Sequence, residues 1–452
     1  MIQPERIQRL SEQAIRQGRF VLYWMQASQR AEWNHALEYA VQQGNEQKIP
    51  VVVLFVLTDR FPEANLRHYT FMVEGLKDVK AKLEQRGIHF FVLKGSPEKE
   101  IVKMSQQASM IVTDRGYLRV QREWRQYVAE NASCLVIQVE TDVVVPVQTA
   151  SAKEAYSAAV LRPKIKTYLR KYLIPLSETP AKYTPRGPTL PGLDLKLAPK
   201  SLLSSLSIDS AVPPVNTFRS GTAEAKRLLD DFVAHKLKDY ADLSNDPALA
   251  CTSHMSPYLH FGQISPLYIA LKIQEARKIP LKAKEAYLEE LIVRRELAVN
   301  FVYYNPSYDS YQALPDWAKE TLKEHRRDKR EYLYSQKELE EARTHDPYWN
   351  AAQKEMVITG KMHNYLRMYW GKKILEWSPS PEEAFGIALY LNNKYGLDGR
   401  DPNSFAGVAW CFGKHDRPWG KRKIFGNVRY MNDAGLRRKF KIEDYVRKVE
   451  AL

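Results

Sequence analysis

Apolar runs alternating with amphipathic stretches dominate the first third of this sequence. Phe20 to Trp24, Pro50 to Leu57, His89 to Leu93, Ser109 to Asp114 and Cys134 to Val139 are near-continuous runs rich in β-branched and aromatic residues. Stretches with helical spacing lie between them, notably Trp33 to Val41, Phe71 to Leu83 and Glu98 to Ser105. Continuous apolar strands separated by helices predict an α/β unit with a doubly wound, parallel, five-stranded sheet buried on both faces. Such a sheet offers a ligand crevice at the carboxyl ends of its strands. No GxGxxG or P-loop follows the first run, which argues against a nucleotide held in the usual dinucleotide or triphosphate mode.

From Ser177 to Pro214 the chain turns rich in Pro, Ser and Leu, including Pro185, Pro188 and Pro191, and reads as a connector. Beyond it the apolar spacing is helical almost throughout, from Ala223 to Leu237 and on to Met362 to Trp377. The expected organisation is a sheet domain over 1–176, a linker over 177–220 and a larger all-α domain over 221–452.

Charge changes the picture. The 452 residues carry a formal net charge of +15, a balance that points to a polyanionic partner. Between Lys414 and Lys441 ten Lys or Arg face only Asp416 and Asp433, a net +8 in one short segment. Trp410, Phe412, Trp419, Phe425 and Tyr430 are interleaved with those cations, which favours nucleic acid over a merely solvated surface. The three cysteines, Cys134, Cys251 and Cys411, form neither a disulfide framework nor a zinc site, and no metal is expected. The opening MIQPERIQRL lacks an apolar signal core and no run reaches membrane-spanning length, so an intracellular protein is expected, without membrane attachment and not secreted.

Several segments carry candidate chemistry. Trp370 and Trp377 are seven residues apart on one helix, about 10 Å by axial rise, and two readily oxidised indoles on one face suggest a one-electron relay beside a cofactor. Trp349, taken alone, reads as core. Thr252, Ser253, Met255 and Ser256 open a helix with hydroxyl and backbone donors that suit a diphosphate, although Ser-Pro at a helix entry is also an ordinary cap. Tyr240 stands close enough in sequence to close over the same site. Glu290, Arg294, Arg295 and Glu296 share one predicted helix, where charges most often form i,i+4 pairs. A carboxyl group facing a cavity could instead hold a substrate carbonyl if burial kept it protonated.

Together these segments resemble the photolyase/cryptochrome superfamily, and within it the class II cyclobutane pyrimidine dimer photolyases. The resemblance runs the length of the chain through Ser256 to Ser265, Val293 to Leu297, Arg343 to Pro347, Gly360 to His363, Arg367 to Trp370, Leu397 to Asn403 and Arg429 to Asn432, with Trp24 and Gln29 to Ala31 near the start. It implies light-driven DNA repair, in which fully reduced FAD passes an electron to a flipped-out pyrimidine dimer in UV-damaged DNA. It puts Tyr240, Thr252, Ser253, Met255 and Ser256 on the adenine and diphosphate side of FAD. Arg367 and Asp398 become an ion pair flanking the isoalloxazine, and Asn392 stands beside flavin N5.

The same resemblance gives Glu296 and Met368 to the lesion, and Trp370, Trp349 and Trp377 to a photoreduction chain running from flavin to surface. Trp410 enters the hole left by the flipped lesion, with Lys421, Arg422, Lys423 and Arg429 around it on the DNA. A second antenna chromophore, a deazaflavin or a folate, is compatible with the sheet domain, and a monomer is expected. The alternative is a cryptochrome-like flavin photoreceptor without repair. Asn392, Glu296 and the absence of a long tail after Lys439 favour repair.

Overall fold

The computed structural model describes residues 2–184 and 192–452, so Pro185, Pro188 and Pro191 of the expected connector lie outside the described residues. The five predicted strands form as β2 (Phe20–Trp24), β3 (Val51–Leu57), β4 (His89–Lys94), β5 (Ala108–Asp114) and β6 (Leu135–Val139), all mutually parallel. A sixth, β1 (Ile7–Arg9), pairs antiparallel with β6 at one edge. Its three residues, two of them polar, are too few to carry an apolar signature. The order is β1-β6-β5-β2-β3-β4. Helices α1 (His35–Gln47), α2 (Leu66–Gln85), α3 (Pro97–Ser105) and α4 (Arg119–Asn131) cover the faces. Val21, Val53 and Val112 pack toward α1 and α2, whereas Leu22, Leu54 and Ile111 pack on the opposite face.

The winding reverses between β2 and β5, which is where an open parallel sheet presents its crevice. Asp114, at the end of β5, accepts hydrogen bonds from the amides of Gln26 (2.9 Å) and Ala27 (2.7 Å) and from the Tyr23 hydroxyl (2.9 Å). That clamp fixes the chain leaving β2 beside the crevice.

Beyond the sheet the described residues are helical, with two cores. One gathers Trp349, Trp370, Trp377 and Phe412, and the other Leu229, Tyr258, Ile292 and Leu297. The helix Ala158–Tyr172 adds Leu161, Ile165 and Tyr172 to the second core rather than to the sheet. Leu195, Leu202, Leu203 and Leu206 are buried on the sheet and α2, so residues 195–206 of the expected linker are laid down on the protein. No helix among the described residues is long and apolar enough to cross a membrane.

Two buried arginines join the sheet to the helices. Arg30 pairs with Asp142 at 2.7 Å and also donates to the carbonyl of Gly262 at 2.9 Å. Gly262 has φ +64°, and a Cβ there would meet the Ala27 carbonyl oxygen at 2.0 Å, so the backbones approach as only glycine permits. Arg67, at the start of α2, donates to Tyr395 O and Val357 O, both at 2.7 Å.

Candidate redox and nucleic-acid site

Helices Pro347–Thr359 and Asn364–Trp377 are capped by Asp346 and His363, and their packing brings three fully buried indoles together. Trp349 and Trp370 are stacked, with ring centroids 6.4 Å apart and planes 5° from parallel. Trp377 meets Trp349 edge-on at 5.8 Å. Trp349 therefore stands between the other two. The Trp370 indole N–H donates to the Gln353 carbonyl oxygen (2.9 Å), and that of Trp349 to Trp370 O (3.0 Å), both neutral acceptors. Trp377 lines a surface pocket with His345 and the partly exposed Tyr332. Tyr334 packs on Trp377 at 5.5 Å and donates its hydroxyl proton toward His345 Nδ1 or accepts from it, at 2.7 Å. The Tyr332–Tyr334–His345 cluster was invisible in sequence, because it is made by a loop and not by helical spacing.

A buried polar site begins one turn before Trp370, at Arg367 of the same helix. Arg367 pairs with Asp398 at 3.1 Å. Burial works to raise Asp398, yet Arg367, the nearby Ser256 hydroxyl and Lys361 together hold its carboxyl below the usual range. Burial lowers Lys361 to about 8, and Lys361 with burial holds His254 down at about 2. Asn392 is 1% exposed, and its side-chain oxygen, like Arg367 Nε, has no hydrogen-bond partner among the described residues. A buried acceptor and a buried guanidinium donor left open are what a polar planar cofactor would satisfy. Tyr240 packs on Tyr287 at 5.1 Å, and the Tyr287 hydroxyl donates to Ser253 Oγ at 2.9 Å, which joins those two predicted residues through a third. Thr252 lies part-buried beside them and Met255 is buried.

Glu296 faces inward. It is 3% exposed, and its carboxylate accepts from the amides of Val144 (2.6 Å) and Val145 (3.3 Å), tying the segment after β6 to its own helix, Arg295–Tyr304. Burial pushes this carboxyl up to about 8 against those amides, Arg295 and Arg6. An acid whose pKa is higher folded than unfolded stabilises fully below the unfolded value of 4.5 and loses that contribution as pH rises through about 8. The unfolding free energy is therefore expected to fall across that window, and Glu296→Gln to flatten the fall. Urea titrations on either side of the window check this, and equal slopes in both proteins would refute it.

Residues Glu289–Arg294 are wound as a π-helix that carries Glu290 and Arg294 and runs into the α-helix that carries Glu296. Arg294 sits over the Trp410 ring at 5.4 Å. Glu290 is solvent-accessible, yet enough protein surrounds it for burial to raise its carboxyl, as on the wall of a concavity. Met368 approaches the same region, its sulfur 3.9 Å from Cys411 Sγ, next in chain to Trp410.

On the basic segment, Arg417 and Arg429 flank the exposed Trp419 at 5.4 and 5.1 Å, and Arg422 lies over Tyr430 at 5.4 Å. Lys421 and Lys423 are exposed, Lys421 within 3.2 Å of Glu324. Lys414, counted with this run in the sequence, is instead buried against Glu154 and contributes nothing to the surface. A second cavity opens at the sheet's switch point, lined by Trp24, Tyr69, Trp124, His260 and Arg400 among others.

Residues 21–185 match the family model described as DNA photolyase. The deoxyribodipyrimidine photo-lyase of Methanothermobacter thermautotrophicus is 52% identical over 455 residues, spanning 100% of this chain and 99% of its own. That of Arabidopsis thaliana is 41% identical, over 96% and 89%. Among solved structures, a bacterial class III photolyase from Agrobacterium tumefaciens superposes with a TM-score of 0.72 at 19% identity, covering 96% of this chain and 87% of that one. At that identity the likeness speaks for the fold.

Proposed function

The chain belongs to the DNA photolyase family, and on that premise we propose that it is a class II member acting on cyclobutane pyrimidine dimers. Its activity is light-driven DNA repair, a carbon–carbon lyase reaction. The observation that carries the reading is the line of three buried indoles leading from a surface pocket toward the open acceptor of Asn392 and the Arg367–Asp398 pair. Fully reduced FAD held there by Asn392, Arg367 and Asp398 would supply the photoexcited electron for opening the dimer.

The residues have distinct tasks. Asn392, Arg367 and Asp398 hold the cofactor ring, and the Tyr240, Thr252, Ser253, Met255 and Ser256 segment holds its other end. Neutral acceptors at Trp370 and Trp349 give an oxidised indole no base to lose its proton to, so the positive charge passes outward to Trp377. Glu290 takes the lesion-facing task first given to Glu296, because its carboxyl opens near Arg294, which lies over Trp410, while that of Glu296 holds a backbone seam. Met368 and Trp410 complete that wall. Arg417, Lys421, Arg422, Lys423 and Arg429 meet DNA phosphates, with Trp419 between two of them. The aromatic cavity at the switch point suits a planar antenna chromophore, a deazaflavin or a folate.

Purified protein is expected to show flavin absorption and to restore dimer-containing oligonucleotides only under near-UV or blue light. Protein without flavin would refute the cofactor reading. Flavin without light-dependent repair would move the protein to the photoreceptors.

A further inference from the structure

Asn392 is an amide, and an amide can present either of two opposite ends. Which end faces inward is settled by neighbours that cannot reverse. Asn393, fully buried, donates from Nδ2 to the Glu63 carboxylate at 2.6 Å. A carboxylate only accepts, so that end of Asn393 must be its NH2 group whatever label the atoms carry. The other end of Asn393 receives the backbone N–H of Arg400 at 2.9 Å, and a backbone N–H only donates. Asn393 therefore turns a carbonyl oxygen toward Asn392, which must answer with its own NH2 at 3.1 Å. That leaves the Asn392 oxygen buried and without a partner among the described residues. Glu63 lies 330 residues away in sequence, in the loop before α2, at φ +57°, a backbone conformation a glutamate adopts only where its surroundings hold it there.

Resting on the reading that FAD binds beside Asn392, we infer that Glu63 and Asn393 are positioning residues that fix the polarity of the Asn392 amide, presenting an acceptor to the flavin and so favouring its N5-protonated, reduced forms. The sheet domain thereby sets a property of a cofactor held by the helices. Arg400 serves the same end twice, since its guanidinium also donates to Asn393 O at 2.9 Å.

The test uses FAD-loaded full-length protein and a spectroelectrochemical titration of the bound flavin. Asn393→Ala and Asn393→Leu remove the fixed oxygen without changing net charge. Each is expected to lower the reduced-to-oxidised ratio at a given potential about tenfold, which is about 30 mV for a two-electron couple. The double variant Asn393→Asp with Glu63→Gln exchanges donor and acceptor between the two positions, keeps net charge, and still offers oxygen to Asn392. It is expected to hold the wild-type midpoint. Unshifted midpoints in the Ala and Leu variants, or the same downward shift in the double variant, would overturn the inference. If the Ala and Leu variants retain no flavin, the double variant decides: a wild-type midpoint supports the polarity chain and a lowered one refutes it. A wild-type protein that binds no FAD would instead overturn the reading of the site before any variant is compared.

Discussion

Arg30→Ala is expected to cost about 3–5 kcal/mol of stability, the range for removing one partner of a buried ion pair. Whole domains are stable by only about 5–15 kcal/mol, so the variant should be close to unfolded at physiological temperature. Arg30 is 1% exposed, and its loss strands the Asp142 carboxylate, itself largely buried, together with the carbonyls of Gly262 and Thr141. It also cuts one of the arginine stitches between sheet and helices. Urea unfolding at neutral pH measures the effect. A loss of about 0.5 kcal/mol, the size expected for a surface substitution, would show that Arg30 contributes little net stability.

Trp349→Phe is expected to abolish most photoreduction of oxidised flavin while leaving repair by chemically reduced protein near the wild-type rate. The argument is connectivity. Trp370 and Trp377 share a helix, but each makes its close ring contact with Trp349, from a different helix, at 6.4 and 5.8 Å. Phenylalanine preserves most of the volume of this fully buried side chain, and so much of the packing, while removing the oxidisable indole. Illuminated reduction followed by absorption, beside a repair assay with dithionite-reduced protein, separates the two activities. Equal loss of both would mean that Trp349 serves only the core.

How much of this was legible in the sequence depended on how far the deciding contacts run. The five parallel strands were, because burial on both faces writes apolar residues continuously, as in Val51–Leu57. Strand β1 was not, because three edge residues carry no such mark. The relay was half legible. Spacing alone related Trp370 to Trp377, and only the resemblance brought in Trp349, whose place depends on packing between two helices. Glu296 was given to the lesion by the resemblance alone, and its contact with the Val144 and Val145 amides is a tertiary one that no local pattern shows. The Glu63–Asn393 contact joins residues that no local pattern relates.

The π-wound stretch Glu289–Arg294 has a consequence for descent. A π turn holds about one residue more than the α turn it replaces, so a lineage that lost a single codon here could still close a regular helix. The helices on either side would keep their faces, because a π turn absorbs its extra residue locally, and only the residues within it would be re-aimed. Glu296 would keep its grip on Val144 and Val145, and the protein would remain well folded. Glu290, within the turn, would lose its present aim. A gap of one position in an alignment, with every named side chain still present, would mark a descendant that had kept its architecture and lost the lesion contact proposed for Glu290.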